Sequence, residues 1–183
     1  ADGFLKGYLR KSVVADPILR VNTKTNAPCV SHFDIVKGNR LKVTVLPKGF
    51  GSENKSAVFM FLPTATTAEM EDFVVNAVRL AGADACPPYV IGIGMGGTLD
   101  KAVLLSKEAV LSDLRKAHPK KHISALEKRI LQRINRLNIG PMGVGGSPTA
   151  LAVKILTFPT HIAALPVSVN ISCSATRSAT RII

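Results

Sequence analysis

The run YVIGIGMGGTLDKAVLLSKEAVL, from Tyr89 to Leu111, restricts the possible folds more than any other part of the sequence. Its first six residues read as a short buried strand, its glycines as a turn, and the remainder as a helix with Ala102, Leu105 and Ala109 on one face. A strand delivering the chain through a tight turn into an amphipathic helix is the unit of layered α/β architectures, in which helices cover a sheet.

The neighbouring segments extend this pattern. Thr66 followed by Glu69 has the spacing of a capping box, and Met70, Phe73, Val74, Ala77 and Val78 form a helical stripe that ends at Gly82. A further helix is expected from about His122 to Leu137, with Ile123, Leu126, Ile130, Ile134 and Leu137 on its apolar face and Gly140-Pro141 as its stop. Strands are expected at AVFMFL, at Ala152 to Phe158 and at Val167 to Ser172, the last two on either side of a turn holding His161. A hairpin is expected from Val30 to Val36 and Arg40 to Leu46 around Lys37-Gly38-Asn39, with Leu41, Val43 and Val45 buried and Lys42 and Thr44 wet. PKGFGSENKS reads as a loop. The fold class is therefore α/β (α+β): a mixed sheet with antiparallel pairing, packed against helices. At 183 residues and 46% apolar content, one layered domain spanning 1–183 is expected.

Charge and composition narrow the function. The net charge of +12 is concentrated between Arg115 and Arg136, where eight Lys or Arg face one acid, Glu127. Such a run reads first as a solvated helix face. Two Tyr, seven Phe and no Trp provide few stacking platforms, which argues against single-stranded nucleic acid as a partner. No apolar stretch reaches the length of a membrane helix. Three widely spaced cysteines, Cys29, Cys86 and Cys173, and an opening ADGFLKGYLR without signal-peptide character suit a reducing compartment, either mitochondrial matrix or cytoplasm.

Three glycine-rich loops, Gly49 to Ser56, Gly92 to Thr98 and Gly140 to Thr149, could offer bare backbone N–H groups to an anion. GIGMGG matches G-x-G-x-x-G between a strand and a helix, but no acid closes a second strand about 20 residues later. A tight structural turn is the better reading than a dinucleotide site. Taken singly, each cysteine reads as an apolar filler and His161 as a satisfied turn histidine.

Taken together, LRKSVVADP, NTKTNAP, PKGFGSENKS, CPPYVIGIGMGGTLDKA, LNIGPMGVGGSPTALAVKI and PTHIAALPVSVNISC resemble, in order and spacing, the class I iron–sulfur fumarate hydratases. The resemblance covers about Leu9 to Cys173 and corresponds to the later part of that family's α subunit or N-terminal domain, without its swivelling C-terminal domain. It implies reversible hydration of fumarate to (S)-malate at a 4Fe-4S cluster held by three cysteines. It further implies Cys86 and Cys173 as two ligands, His161 as the catalytic histidine, Arg10 as a carboxylate-gripping arginine, and the Gly49 and Gly51 backbone as substrate contacts. The family's remaining cysteine belongs to a Cys-Gln-Asp-Thr-Gly segment that this sequence does not contain, and Cys29 reads as a buried strand cysteine rather than a replacement. A dicarboxylate substrate, a β subunit or C-terminal domain, and an oligomeric or larger assembly are the implied partners. Tartrate dehydratase α subunits share the CPP and GIGP landmarks and stand second, and a non-catalytic fumarase-like structural subunit is the third reading.

Overall fold

The computed structural model describes every residue except Thr176. It divides into two compact units, Ala1–Arg40 and Leu41–Ile183. The first contains one short helix, α1 (Asp2–Lys6), and an isolated bridge between Val14 and Asn22. It is held by polar turns: Asp16 Oδ1 accepts from the Ile18 and Leu19 amides, and Asn26 Oδ1 from those of Ser12 and Val13. No residue of this unit is buried.

The second unit holds β1 (Lys42–Val45), α2 (Phe50–Glu53), β2 (Ala57–Phe61), α3 (Thr67–Ala81), β3 (Tyr89–Met95), α4 (Leu99–Val110), α5 (Lys121–Asn135), β4 (Ala150–Thr157), β5 (Leu165–Cys173) and β6 (Ala179–Ile182). Four strands form the main sheet in the order β2-β5-β3-β4; β3 and β4 are parallel and the other two pairings antiparallel. This is the mixed, helix-covered sheet expected from the sequence. A second sheet pairs β1 with β6.

Residues of β3 and β5 alternate between two buried faces. Tyr89, Ile91 and Ile93 of β3 and Val167, Val169 and Ile171 of β5 join Val74 and Val78 of α3 and Ile130 and Ile134 of α5 in one core. Each large aliphatic side chain so buried contributes about 1.5–3 kcal/mol. On the opposite face, Gly92 and Gly94 lie directly beneath α4. A Cβ on Gly92 would come within 2.1 Å of the Ser106 carbonyl oxygen, and one on Gly94 within 2.0 Å of that of Ala102. The first two glycines of the pattern thus lie inside β3 and permit helix-on-strand contact, and the tight turn is confined to Gly96 and Gly97, with φ of 90° and 73°.

Local chemistry explains the helix boundaries. The Thr66 hydroxyl accepts from the Glu69 amide (3.3 Å) while the Glu69 carboxylate accepts from the Thr66 amide (2.6 Å), the reciprocal box expected at the start of α3. On α5, the Glu127 carboxylate accepts from the Ile155 amide of β4 (2.9 Å), and Asn135 Oδ1 accepts from the Thr149 and Ala150 amides (both 2.8 Å). These bonds fasten the helix to the edge strand.

Three expectations are corrected. The 30–46 hairpin does not form: Val30 to Val36 has no strand partner, and β1 pairs with β6 instead, Lys42 opposite Ile182. Period-two alternation specifies a face but not which strand will cover it, and here Leu41, Val43 and Val45 all remain exposed. The PKGFGSENKS loop contains the helical turn α2. Cys29 is exposed and outside any strand, so it is not a buried filler. The β3–α4 contact makes a direct prediction. Gly94→Ala should destabilise the chain by about 2–3 kcal/mol through overpacking, whereas Gly49→Ala, where a Cβ meets open space, should shift the urea midpoint far less.

Candidate functional site

The sheet gathers four of the sequence-derived candidates at one end. Cys173 closes β5 opposite Tyr89, the first residue of β3, and Cys86 lies three residues before Tyr89. Both are free thiols; Cys86 is exposed and Cys173 half-buried. Cys86 has φ of 56°, in the left-handed region, immediately before Pro87 and Pro88. Its segment is supported from two sides. The Met142 amide donates to the Pro87 carbonyl (2.9 Å), and Gly143 lies so close to Ala83 that a Cβ there would meet the Ala83 Cβ at 2.3 Å. From the other side, a Cβ on Gly51 would stand 3.3 Å from the Asp84 carbonyl oxygen, and Lys55 pairs with Asp84 (2.7 Å). Gly49, Gly51, Cys86 and Cys173 therefore share one neighbourhood, and the glycine loop at 140–146 buttresses it.

A charged hub occupies the same region. Glu53, at the end of α2, pairs with Lys48 (2.8 Å) and with Lys107 of α4, and accepts from Asn170 Nδ2 of β5 (3.4 Å). Lys48 also donates to Ser52 Oγ (3.3 Å), whose hydroxyl donates to the Gly49 carbonyl (2.8 Å). Asn170 Nδ2 donates to Ser56 Oγ (3.0 Å). Burial alone would raise the Glu53 pKa, but hydrogen bonds and charge from Lys107 and Lys48 override it and bring it down to about 2. Burial lowers the pKa of Lys48, partly offset by its hydrogen bond to Glu53. The sequence reading did not single out Lys48, Glu53, Lys107 or Asn170. One signal was available: Ser168, Asn170 and Ser172 alternate with Val167, Val169 and Ile171 in a strand buried on both faces, and buried polar side chains need partners.

His161 lies elsewhere. It occupies the exposed turn before Leu165, at the far end of β5 from Cys173, a strand length of roughly 27 Å at about 3.4 Å per residue. The turn is well anchored. Thr160 Oγ1 donates to the Gly97 carbonyl (3.1 Å), and His161 Nδ1 accepts from the Ala163 amide (3.2 Å). The neutral imidazole therefore carries its proton on Nε2. Arg10 is exposed within the 1–40 unit. Among the described residues, no three His, Cys, Asp or Glu side chains converge as a complete metal site. The two free thiols at this sheet end are donors of the type an iron–sulfur site uses.

The sequence matches the family model described as fumarate hydratase (fumerase) over residues 1–182. Over 176 residues it is 43% identical to the putative L(+)-tartrate dehydratase subunit alpha of Methanocaldococcus jannaschii, covering 93% of this chain and 61% of that protein. L(+)-tartrate dehydratase α subunits of Escherichia coli O157:H7 and of strain K12 are 27% and 28% identical, each covering 88% of this chain and 54% of the relative. The chain thus spans roughly half to three-fifths of the length of these relatives.

The Glu53 hub predicts acid sensitivity of defined sign. A carboxyl held at about 2 when folded and near 4.5 when unfolded stabilises the fold above pH 4.5, and that contribution is lost as pH falls toward 2. Urea unfolding of wild type and Glu53→Gln between pH 7 and 2.5 should show the two stability curves converging as the solution becomes acidic.

Proposed function

Because the chain belongs to the fumarate hydratase family, we propose that it is the later part of the α subunit of an iron–sulfur hydro-lyase that dehydrates a hydroxylated dicarboxylate. The motifs place fumarate first and tartrate second, but the names of the relatives favour tartrate, which we take as the first substrate. The observation that carries the reading is the convergence of Cys86, Cys173 and the Gly49–Gly51 turn at one end of the sheet.

In this reading Cys86 and Cys173 supply two thiolate ligands to a 4Fe-4S cluster, and the third comes from outside this chain. When bound, the cluster supplies a Lewis-acidic iron with a position open to the substrate. The chain's own residues do the rest of what is available here. The Gly49–Gly51 turn offers backbone that a carboxylate can approach closely, and Lys48 beside it adds positive charge. On the separate 1–40 unit, Arg10 has the planar fork that the family resemblance assigns to a carboxylate. Loss of water requires one proton to leave carbon and another to leave with the departing hydroxyl. His161, through its Nε2–H, serves as a hydrogen-bond donor to a substrate oxygen in such a step. The length of β5 separates His161 from the thiols of its own chain, so its contact with substrate is at a position away from them. A β subunit completes the enzyme, and a reducing compartment, cytoplasm or mitochondrial matrix, is the setting that exposed thiols and a cluster require.

The test is anaerobic co-expression with the β subunit, followed by iron and sulfide analysis and by parallel assays of L(+)-tartrate dehydration and fumarate hydration. Turnover of tartrate at least about tenfold faster than fumarate is expected. Cys173→Ser should remove iron and reduce turnover at least about 100-fold, while the thermal midpoint of the iron-free chain changes by only a few degrees. A complex that binds no iron after reconstitution would instead support a non-catalytic structural subunit.

A further inference from the structure

We propose that Glu53 is a positioning residue, the ionic hub that holds the substrate-facing α2 turn in register with α4 and with the cysteine-bearing end of β5; the inference rests on the hydro-lyase reading above. Two elements distant in sequence converge on this one carboxylate, Lys107 in the last turn of α4 and Asn170 three residues ahead of Cys173, together with Lys48 from the α2 segment itself. Besides the Lys55–Asp84 pair just after it, the α2 turn has few side-chain ties. It is a single helical turn without a side-chain cap at Gly49, its buried residue is Ser52, and that hydroxyl is itself bonded into the hub.

The cost of the arrangement argues for a positional role. Charged groups this close to burial are stabilising only when their partners are complete, and apolar replacements would be at least as stable. Asn170 is 1% exposed, and its Oδ1 is the one buried side-chain polar atom among the described residues without a hydrogen-bond partner. Its amide is turned so that Nδ2 reaches Glu53 and Ser56, leaving the oxygen unpaired. Loss of the Glu53 charge would set Lys48 and Lys107 against each other at the point where the turn meets the sheet. A comparable cluster, Glu71 with Arg129 and Arg133, joins α3 to α5 and therefore provides a control away from the cysteines.

The test compares Glu53→Gln, Glu71→Gln and Glu53→Gln/Lys107→Met. In the full chain, Glu53→Gln should speed amide hydrogen exchange across residues 49–54 at least tenfold, leaving the amides of β3 unchanged. In the complex with the β subunit, it should raise KM for the dicarboxylate at least tenfold while kcat falls less than threefold. The double variant, which removes one of the two uncompensated ammoniums and so relieves their repulsion, should recover thermal stability but not KM. Glu71→Gln should lower stability and leave both exchange at 49–54 and KM as in wild type. Wild-type exchange at 49–54 in both Glu53 variants, or equal KM effects from Glu53→Gln and Glu71→Gln, would overturn the inference. An inactive wild-type complex would instead count against the hydro-lyase reading, and the exchange result would still decide whether Glu53 holds the turn.

Discussion

The backbone of α4 lies against β3 at a distance that only hydrogen can occupy on the strand side. Gly92 and Gly94 make this possible, and much of the architecture follows from it. With α4 seated so low, β3 is buried on both faces and can be the interior strand between β4 and β5. The same contact brings Ser106 of α4 within 3.0 Å of Ser168 of β5 and brings Lys107 over Glu53. A helix held further out by side chains at positions 92 and 94 would reach neither.

The two sheet faces are consequently different kinds of interface. Toward α3 and α5 the contacts are aliphatic and non-directional, which suits a core that only has to exclude water. Toward α4 the buried Ala102, Leu105, Ala109 and Val110 are joined by serine, asparagine, lysine and glutamate, whose hydrogen bonds demand particular geometries. The candidate site grows out of the second interface, where the end of β5, the turn at α2 and the segment before β3 meet. Directional bonding concentrates where positions matter.

Much of the fold was legible because local signals and tertiary outcome agree. The Thr66/Glu69 box, the stripe from Ile123 to Ile134, and the alternation along β5 each name an element and its buried face. The 30–46 hairpin was misread because the alternation of Leu41, Val43 and Val45 contains no information on which strand will lie beside it; β6, more than 130 residues away in sequence, is a long-range choice. The site was legible by motif and not by physics. Nothing local indicates that Cys86 and Cys173 share a sheet end, because that follows from the antiparallel β3–β5 register. Nor could spacing show that His161 is separated from Cys173 by a whole strand. The charged hub lay inside motifs already marked as informative, but its members come from three separate segments and only the folded chain brings them together.

The bond from Glu127 to the Ile155 amide has a further consequence. An edge strand with free amides can recruit a strand from another molecule and extend the sheet without limit. Here a carboxylate from α5 already occupies that donor on the outer side of β4, so an incoming strand would have to displace a helix-borne anion before it could pair at this position. The sheet is chemically quenched there by a side chain.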